Sequence, residues 1–486
     1  MQDFLMTTDL FAIPWRKLQH WSPSKQHAFQ EKKLQTILKI STFAPYYNAL
    51  YKAHNINIRH IRSLDDFTSF PFTTKADLLP SHEHPEKASA FVVNPTHHVR
   101  ELPTLTRFQL LFSSSLKLDM VSAFKPVHVH FTSGRSAMSI PVFYTQRDLL
   151  FLQEAARRMM IYLQIPHTVR VINVFPYAPH LAFWQTVYAT NYLGIFGLHT
   201  GGGPVMGTER IVENIEKMRP ECIVGMPSYV YHLLSHAVQH RKKLPSVKWI
   251  LLGGEAVTHG YIEKLKHLLM LCDAHAVRVY SSYAFTEGKV TWTQCHEESG
   301  YHLYPDMEFV EIINHQGKRV PDGQIGEIVY TALDFRGTLF LRYKTGDIGR
   351  LQPGSCSYCG ARTPRLEPAI SRSTEIISLD ITKIKGTLVD LHAVAALLSS
   401  LSFIDEWQLF IQKKKKYDLD ELVLHVAPTH DVSQTFVKND ILREMHAHFH
   451  VTPTIRFKHK KEIVKQLELE HRMKEKRIVD LREKRQ

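Results

Sequence analysis

The sequence predicts an α/β chain in which parallel βαβ units are followed by a small antiparallel subdomain and then by a separate carboxy-terminal segment. The apolar runs VRVINVF (169–175), CIVGM (222–226), WILLGG (249–254) and VRVYSSY (277–283) alternate with stretches of helical period. That alternation is what βαβ units and a largely parallel sheet require. From Glu308 the runs FVEII, GEIVYTA and LFLRY are short, alternating and joined by Gly and Pro turns, as in an antiparallel subdomain. At Ser371 to Thr374 the pattern changes again, into mixed strand and helix signals with the charged run IQKKKKYDLDE and a basic tail. A domain boundary therefore divides 1–370 from 371–486.

Taken in order, residues 28–53 carry helical periodicity, and PFTTKADLLP (71–80) sets Pro71 and a Thr pair ahead of a short helix. Leu105 to Phe124 can form an amphipathic helix. VHVHF (127–131) sets Val127, Val129 and Phe131 against His128 and His130 with the period of a half-buried strand, and runs into the polar loop TSGRS. After Tyr144 the period becomes helical: Thr145 and Asp148 are spaced as a capping box, and Leu149, Leu152, Ala156, Met159, Met160 and Leu163 form an apolar stripe. Several later strands end in Gly, Ser or Thr, and in open parallel sheets ligands bind beyond the carboxyl ends of the strands. The chemistry is expected there.

The composition bounds the classes. A chain of 486 residues, 44% hydrophobic and 22% charged with 24 Pro, 22 Gly and 5 Cys, has globular proportions, not disordered, collagenous or disulfide-knotted ones. Its formal charge of +13 favours anionic partners. Part of that excess is local, since residues 456–486 hold 12 Lys or Arg against 6 Asp or Glu. No RRM, zinc-finger or helix-turn-helix signature accompanies it, so nucleic acid is not expected. Asp3 and Asp9 stand where an export signal needs a basic start and an unbroken apolar stretch, which makes the cytoplasm the expected compartment. The stretch His180–Leu198 is interrupted by Gln185, Thr186, Thr190 and Asn191, and reads as buried core, not a membrane span. Clusters at His82 and His84, His97 and His98, and His446, His448 and His450 lack the spacing of a catalytic metal site.

The loop FTSGRSAMSIP (131–141) places small hydroxyl residues around one Gly after a strand. Its amides and the hydroxyls of Thr132, Ser133 and Ser136 could cradle a phosphate chain, with Arg135 adding charge, although the Walker spacing is absent and an ordinary turn is the alternative. VYSSYAFTEGKV (279–290) places Tyr283, Thr286 and Glu287 after an apolar strand, and RYKTGDIGRL (342–351) places Asp347 after Thr-Gly at the end of another. Together these three segments resemble the nucleotide-binding motifs of the adenylate-forming superfamily that includes acyl-CoA synthetases. PFTTKADL, GMPSY (225–229), LLGGEAV (251–257), CSYCGARTPRL (356–366) and KEKRIVDLR (474–482) narrow the resemblance to the phenylacetate-CoA ligase type, in the right order from about residue 30 to the end.

That resemblance implies an ATP-dependent, AMP-forming carboxylate-CoA ligase. It implies a large multi-sheet domain for 1–370 binding AMP and the acyl substrate, and a small mobile α+β lid for 371–486 hinged near 372–375. Its cofactors would be ATP, Mg²⁺ and coenzyme A. Glu287 resembles the family's Mg²⁺ carboxylate, Tyr283 its adenine-stacking ring, Gly254 and Glu255 its adenine wall, and Asp347 its acceptor for the ribose hydroxyls. Thr132, Ser133, Gly134, Ser136, Thr286 and Arg372 complete the implied nucleotide contacts. Lys474 matches the lysine that reaches the phosphate and carboxylate oxygens during adenylation, with Lys476 as the rival and a solvated basic tail as the alternative. Thr374 and Glu375 stand where the family usually has two Asp, and Ala137 and Met138 replace the usual second Gly and Lys of the phosphate loop. Arg135 is the residue expected to supply the missing charge. Tyr177, His180 and Phe183 fall where relatives build the acyl pocket, although aromatic stripes are also common in cores.

Cys356 and Cys359 form a CxxC knuckle before Gly360, and Cys295 and His302 lie between the Glu287 motif and the small subdomain. These four could hold a structural zinc with no open position, with His296 as an alternative ligand and free thiols in a turn as the other reading. Cys222 and Cys272 lie in apolar segments and are expected to be buried. Two further readings remain open: an acyl carrier protein as acceptor, and a non-catalytic nucleotide-binding relative, the latter suggested by Ala137 and Met138. A homodimer is the expected assembly if the chain associates.

Overall fold

A computed structural model describes residues 11, 13–79, 86–95, 113–132, 140–368, 370–372, 381–384, 387–414, 419–429, 432–449, 451–467 and 477–481. The amino-terminal periodicity resolves into two helices, Pro23–Ser41 and Pro45–Ala53. Proline explains the division, because it is favoured at the first position of a helix and breaks an interior. Lys75–Leu78 is one helical turn capped by a Thr74–Asp77 box, as expected. The amphipathic helix expected from Leu105 covers Ser114–Phe124 here, and 105–112 lie outside the described residues.

The central elements follow the expected order. They are β1 (Pro126–Phe131), β2 (Pro141–Thr145), α1 (Gln146–Leu163), β3 (Arg170–Asn173), α2 (Leu181–Leu193), β4 (Phe196–His199), β5 (Cys222–Gly225), α3 (Pro227–Gln239), β6 (Trp249–Leu252), α4 (His259–Leu271), β7 (Arg278–Ala284) and β8 (Thr291–Thr293). The capping box of α1 forms: Asp148 N donates to Thr145 Oγ1 at 3.3 Å and Thr145 N to Asp148 Oδ2 at 2.9 Å. After β8 come β9 (Tyr301–His302), β10 (Glu308–Ile313), β11 (Gly326–Ala332), β12 (Tyr343–Gly349), β13 (Leu351–Gln352) and β14 (Arg365–Leu366).

The chain divides into two compact units, one of residues 1–169, 178–197 and 280–370, the other of 170–177, 198–279 and 371–486. In the first, β1 and β2 form a hairpin, β10, β11 and β12 an antiparallel sheet, and β13, β14 and β9 a second small sheet. Its core gathers Trp15, Leu34, Phe67, Phe91, Phe151, Trp292, Tyr304, Tyr330 and Phe340. In the second, β5 pairs in parallel with both β3 and β6. Residues 404–414 and 419–428 form a long antiparallel pair there, flanked in parallel by 478–480 and 454–457. Helices Leu391–Ser400 and Gln434–Phe449 cover it through Val394, Leu398, Val437 and Ile441, an α+β arrangement. Cys222 and Cys272 are buried, and among the described residues no helix is long and apolar enough to cross a membrane.

Two expectations are corrected, for LFLRY and for 180–198, and the structure decides the facing of β1, which the alternation left open. Strand β1 forms, but its histidine face turns inward: His130 is 0% and Val127 50% exposed. Aromatic packing decides this, for His128 lies edge-on to Trp184 and Tyr188 and His130 to Tyr144. LFLRY is not a strand. Leu339–Arg342 is a buried connection: Leu339 N donates to Phe91 O, Thr73 N to Arg342 O and Ala332 N at the end of β11 to Phe340 O, and the strand begins at Tyr343, so Asp347 lies within β12. Finally, 180–198 is only partly buried, Tyr192 and Phe196 being 45% and 46% exposed.

The core also holds a carboxyl group against its charge. Glu308 Oε1 accepts from Trp292 Nε1 at 2.8 Å and from Tyr304 N, Oε2 has no partner, and burial pushes its pKa from 4.5 up to about 8. The folded state therefore binds the extra proton, and stability present below pH 4.5 is lost as pH rises through about 8. Glu308→Gln should nearly match the parent at pH 5 and exceed it by about 4 kcal/mol at pH 9. Equal urea midpoints for the two proteins at pH 9 would refute the assignment.

Candidate active site

In the first unit, β7 runs into a single 3₁₀ turn, Thr286–Gly288, closed by Lys289 in the left-handed region at φ +59°. The turn is gripped by tyrosines. Tyr144 Oη donates to Thr286 O at 3.3 Å, Tyr330 Oη to Gly288 O at 3.1 Å, and Tyr343 Oη to the Glu287 carboxylate at 2.7 Å. Burial raises the pKa of Tyr144 and Tyr330 well above the usual phenol value, so both stay hydroxyl donors. Glu287 is itself buried. Beside this turn, Tyr283 Oη donates to Asp347 Oδ2 at 2.6 Å, while its ring lies against Trp292 at 5.5 Å and 26°. The structure thus brings Tyr283, Thr286, Glu287 and Asp347 onto β7, β12 and the turn between β7 and β8.

Thr132 closes the base of the loop after β1: its N donates to Ile140 O at 3.0 Å, and its Oγ1 accepts from Ile140 N at 3.1 Å. Ser133, Gly134, Arg135 and Ser136 lie outside the described residues, as do Ala137, Met138, Thr374, Glu375, Lys474 and Lys476. Arg372 is placed in the two-residue strand Ser371–Arg372, with only its backbone described.

His180 Nδ1 donates to Phe131 O at 2.7 Å, which fixes its tautomer, and Phe183 is buried. Desolvation, then neighbouring His128, lowers the pKa of His130 to about 3, so that residue is neutral. Tyr177, Gly254 and Glu255 belong to the second unit. Tyr177 is 61% exposed there. Gly254 has φ +87°, a conformation that favours glycine. Glu255 accepts from both N and Oγ of Ser228 at 3.0 Å, which caps the first turn of α3. Sequence reasoning missed Tyr343, Tyr330 and Tyr144 as supports of Glu287. Tyr343 lies inside the RYKTGD segment, and position alone pointed to it; the other two carried no local signal.

The cysteines converge in the first unit. The ligand atoms of Cys295, His302, Cys356 and Cys359 all lie within 4.8 Å of one another. Cys295 Sγ is 3.6 Å from Cys356 Sγ, and Cys359 Sγ is 3.7 Å from His302 Nε2. A tetrahedral zinc sets neighbouring S and N ligand atoms about 3.5–3.8 Å apart, whereas a disulfide bond is about 2.05 Å long. The donor set therefore fits zinc and is not a disulfide. Cys356 N donates to Ala361 O and Gly360 N to Cys356 O, which shapes the knuckle, and the His302 ring stacks on Tyr162 at 4.2 Å. His296 stands apart from the group, stacked on Tyr358 at 3.9 Å and 6°.

The sequence profile of the AMP-binding enzyme family matches residues 69–332. The phenylacetate-coenzyme A ligase of Thermus thermophilus is 24% identical over 441 residues, covering 87% of this chain and 86% of that protein. That of Escherichia coli is 24% identical over 365 residues, 73% of each. Among solved structures, 2-hydroxyisobutyryl-CoA ligase in the postadenylation state with 2-HIB-AMP superposes with a TM-score of 0.76 at 20% identity, covering 98% of this chain and 95% of that one. At that identity the likeness is one of fold.

Proposed function

Since the chain belongs to the AMP-binding enzyme family, we propose that it activates a carboxylic acid with ATP, giving an acyl adenylate and pyrophosphate, and passes the acyl group to coenzyme A with release of AMP. The observation that carries this reading is the pair of tyrosine-held carboxylates in one unit, Glu287 on Tyr343 and Asp347 on Tyr283. The names of the relatives, phenylacetate-coenzyme A ligases, support an aryl or acyl acid as substrate.

A carboxylate attacking a triphosphate must overcome like charge. Glu287 offers a hard oxygen donor, one of its oxygens being occupied by Tyr343, and such a carboxylate suits Mg²⁺, which takes one or two carboxylates together with substrate phosphates. Glu287 would hold that ion, which when bound neutralises phosphate charge. Tyr283 offers its ring face to adenine, Gly254 and Glu255 line that base, and Asp347 orients the ribose. Thr132, Ser133, Gly134, Ser136 and Thr286 hold the phosphates, with Arg135 as the cation of the loop. Residues 371–486 act as a lid hinged near 372–375, with Arg372 at the hinge, and bring Lys474 to the α-phosphate and acid oxygens during adenylation. Tyr177, His180 and Phe183 face the acid. Cys295, His302, Cys356 and Cys359 hold a structural zinc. The cytoplasm is the proposed compartment.

The test is ATP–pyrophosphate exchange across a panel of aryl and aliphatic acids, followed by a thiol panel of coenzyme A and acyl carrier protein. Exchange that depends on one acid, with transfer to coenzyme A, is the expected result. ATP binding without exchange for any acid would overturn it in favour of a non-catalytic relative. Sedimentation of the same preparation reads whether it is a homodimer.

A further inference from the structure

Lys289 combines two unfavourable features directly after the Glu287 turn. It holds a left-handed backbone at φ +59°, and its side chain is fully buried. The left-handed conformation is costly for a residue with a Cβ, and burying a charge costs more still. Glycine would remove the first cost and an apolar side chain the second.

The ammonium reaches Asp148 Oδ2 at 2.9 Å, passing over the rings of Tyr144 at 5.0 Å and Phe335 at 5.1 Å. Asp148 is already an anchor without it. Its carboxylate accepts Thr145 N at 2.9 Å, Arg336 N at 2.8 Å and Gly337 N at 2.8 Å. Those amides belong to the start of α1 and to the loop between β11 and β12, so the carboxylate is fixed from two directions. Gly337 approaches so closely that a Cβ there would meet Asp148 Oδ2 at 2.7 Å. Those amides bring hydrogen bonds but no net charge, so Lys289 supplies the counter-charge of the carboxylate and, with it, a tie from the Thr286–Gly288 turn to an anchored point. Buried ion pairs are weak contributors to net stability, and a geometric role fits the expense better.

We propose that Lys289, through Asp148, is a positioning residue that orients the Glu287 carboxylate toward the divalent cation of the bound nucleotide. The inference rests on the reading of Glu287 given above. Tyr144 couples the two groups, packing beneath the ammonium and donating to Thr286 O.

The test is direct binding of Mn²⁺, followed by electron paramagnetic resonance in the presence of a non-hydrolysable ATP analogue, on wild type, Lys289→Met, Lys289→Arg and Glu287→Gln. Lys289→Met should bind Mn²⁺ about 10-fold more weakly, the usual penalty for losing a supporting group behind a metal ligand. Its metal-free affinity for the analogue should be unchanged, and Lys289→Arg should recover most of the loss. If Lys289→Met does not fold, the double replacement Asp148→Asn with Lys289→Met removes both charges, and the same weakening is expected from it. Wild-type Mn²⁺ affinity in either folded variant overturns the positioning role alone. Wild type that binds no nucleotide-dependent Mn²⁺ overturns the reading of Glu287 and this inference with it.

Discussion

Glu287→Gln should lower acid-dependent ATP–pyrophosphate exchange by about 10²–10³-fold while leaving the fold intact. The replacement keeps the shape and an oxygen able to accept from Tyr343 Oη, now 2.7 Å away, so the three-tyrosine grip on the turn survives. What it removes is the negative charge that, in the proposed reading, holds a cation against the triphosphate as pyrophosphate begins to leave. The thermal midpoint should move by no more than a few degrees. Lys474→Ala should suppress exchange comparably, yet leave transfer from a supplied acyl adenylate to coenzyme A near the parent rate, if its charge acts in the first step only, as proposed. A Glu287→Gln protein with parental exchange would remove this carboxylate from the chemistry. Loss of both half-reactions in Lys474→Ala would instead give that residue a role beyond adenylation.

Metal content should be about one zinc per chain, and its removal should destabilise the first unit by about 4 kcal/mol or more, in line with the loss of a structural metal. The reason lies in what the ligands join. His302 is in β9, paired opposite Arg365 of β14, while Cys356 and Cys359 form the knuckle between β13 and β14. Cys295 follows β8. Each of the three strands in that sheet has only two residues, so hydrogen bonds alone hold it weakly. Arg365 also donates to Ser299 O at 3.0 Å, and Arg362 N to Gln19 O, so loosening the sheet would extend to the amino-terminal region. Cys356→Ser and chelated wild type should show the same lowered unfolding midpoint, with exchange activity retained at low temperature because the site has no open coordination position. Metal-free protein that unfolds at the parental midpoint would show that the four donors are ordinary thiols and an imidazole.

Much of this was legible because the signals are local. The Thr145–Asp148 cap is an interaction between residues three apart, and the apolar runs of β3, β5 and β6 declare their own burial. The cysteine knuckle is set by spacing, whereas the convergence of Cys295 and His302 on it, one reading beside free thiols, was decided by the fold. Open points and errors came where a neighbour distant in sequence decided against or beyond a local pattern. Strand β1 has an alternating pattern either way, and only the aromatic rings of α2 and β2 decide that imidazoles face inward. LFLRY has strand composition, but beyond the bond from Ala332 N to Phe340 O its main chain pairs with Phe91, Thr73 and the Tyr47 hydroxyl, so no regular ladder forms.

The sequence by itself determined the α/β class, the order of its elements, the family likeness and the residue types available for nucleotide and metal chemistry. Short-range forces act between residues whose spacing is written in the chain, which is why those features could be read. Tertiary structure alone decided that Glu287 is held by Tyr343, 56 positions away, and that Lys289 finds Asp148 at a separation of 141. A buried charge takes whichever partner packing brings to it, and that choice depends on the whole core.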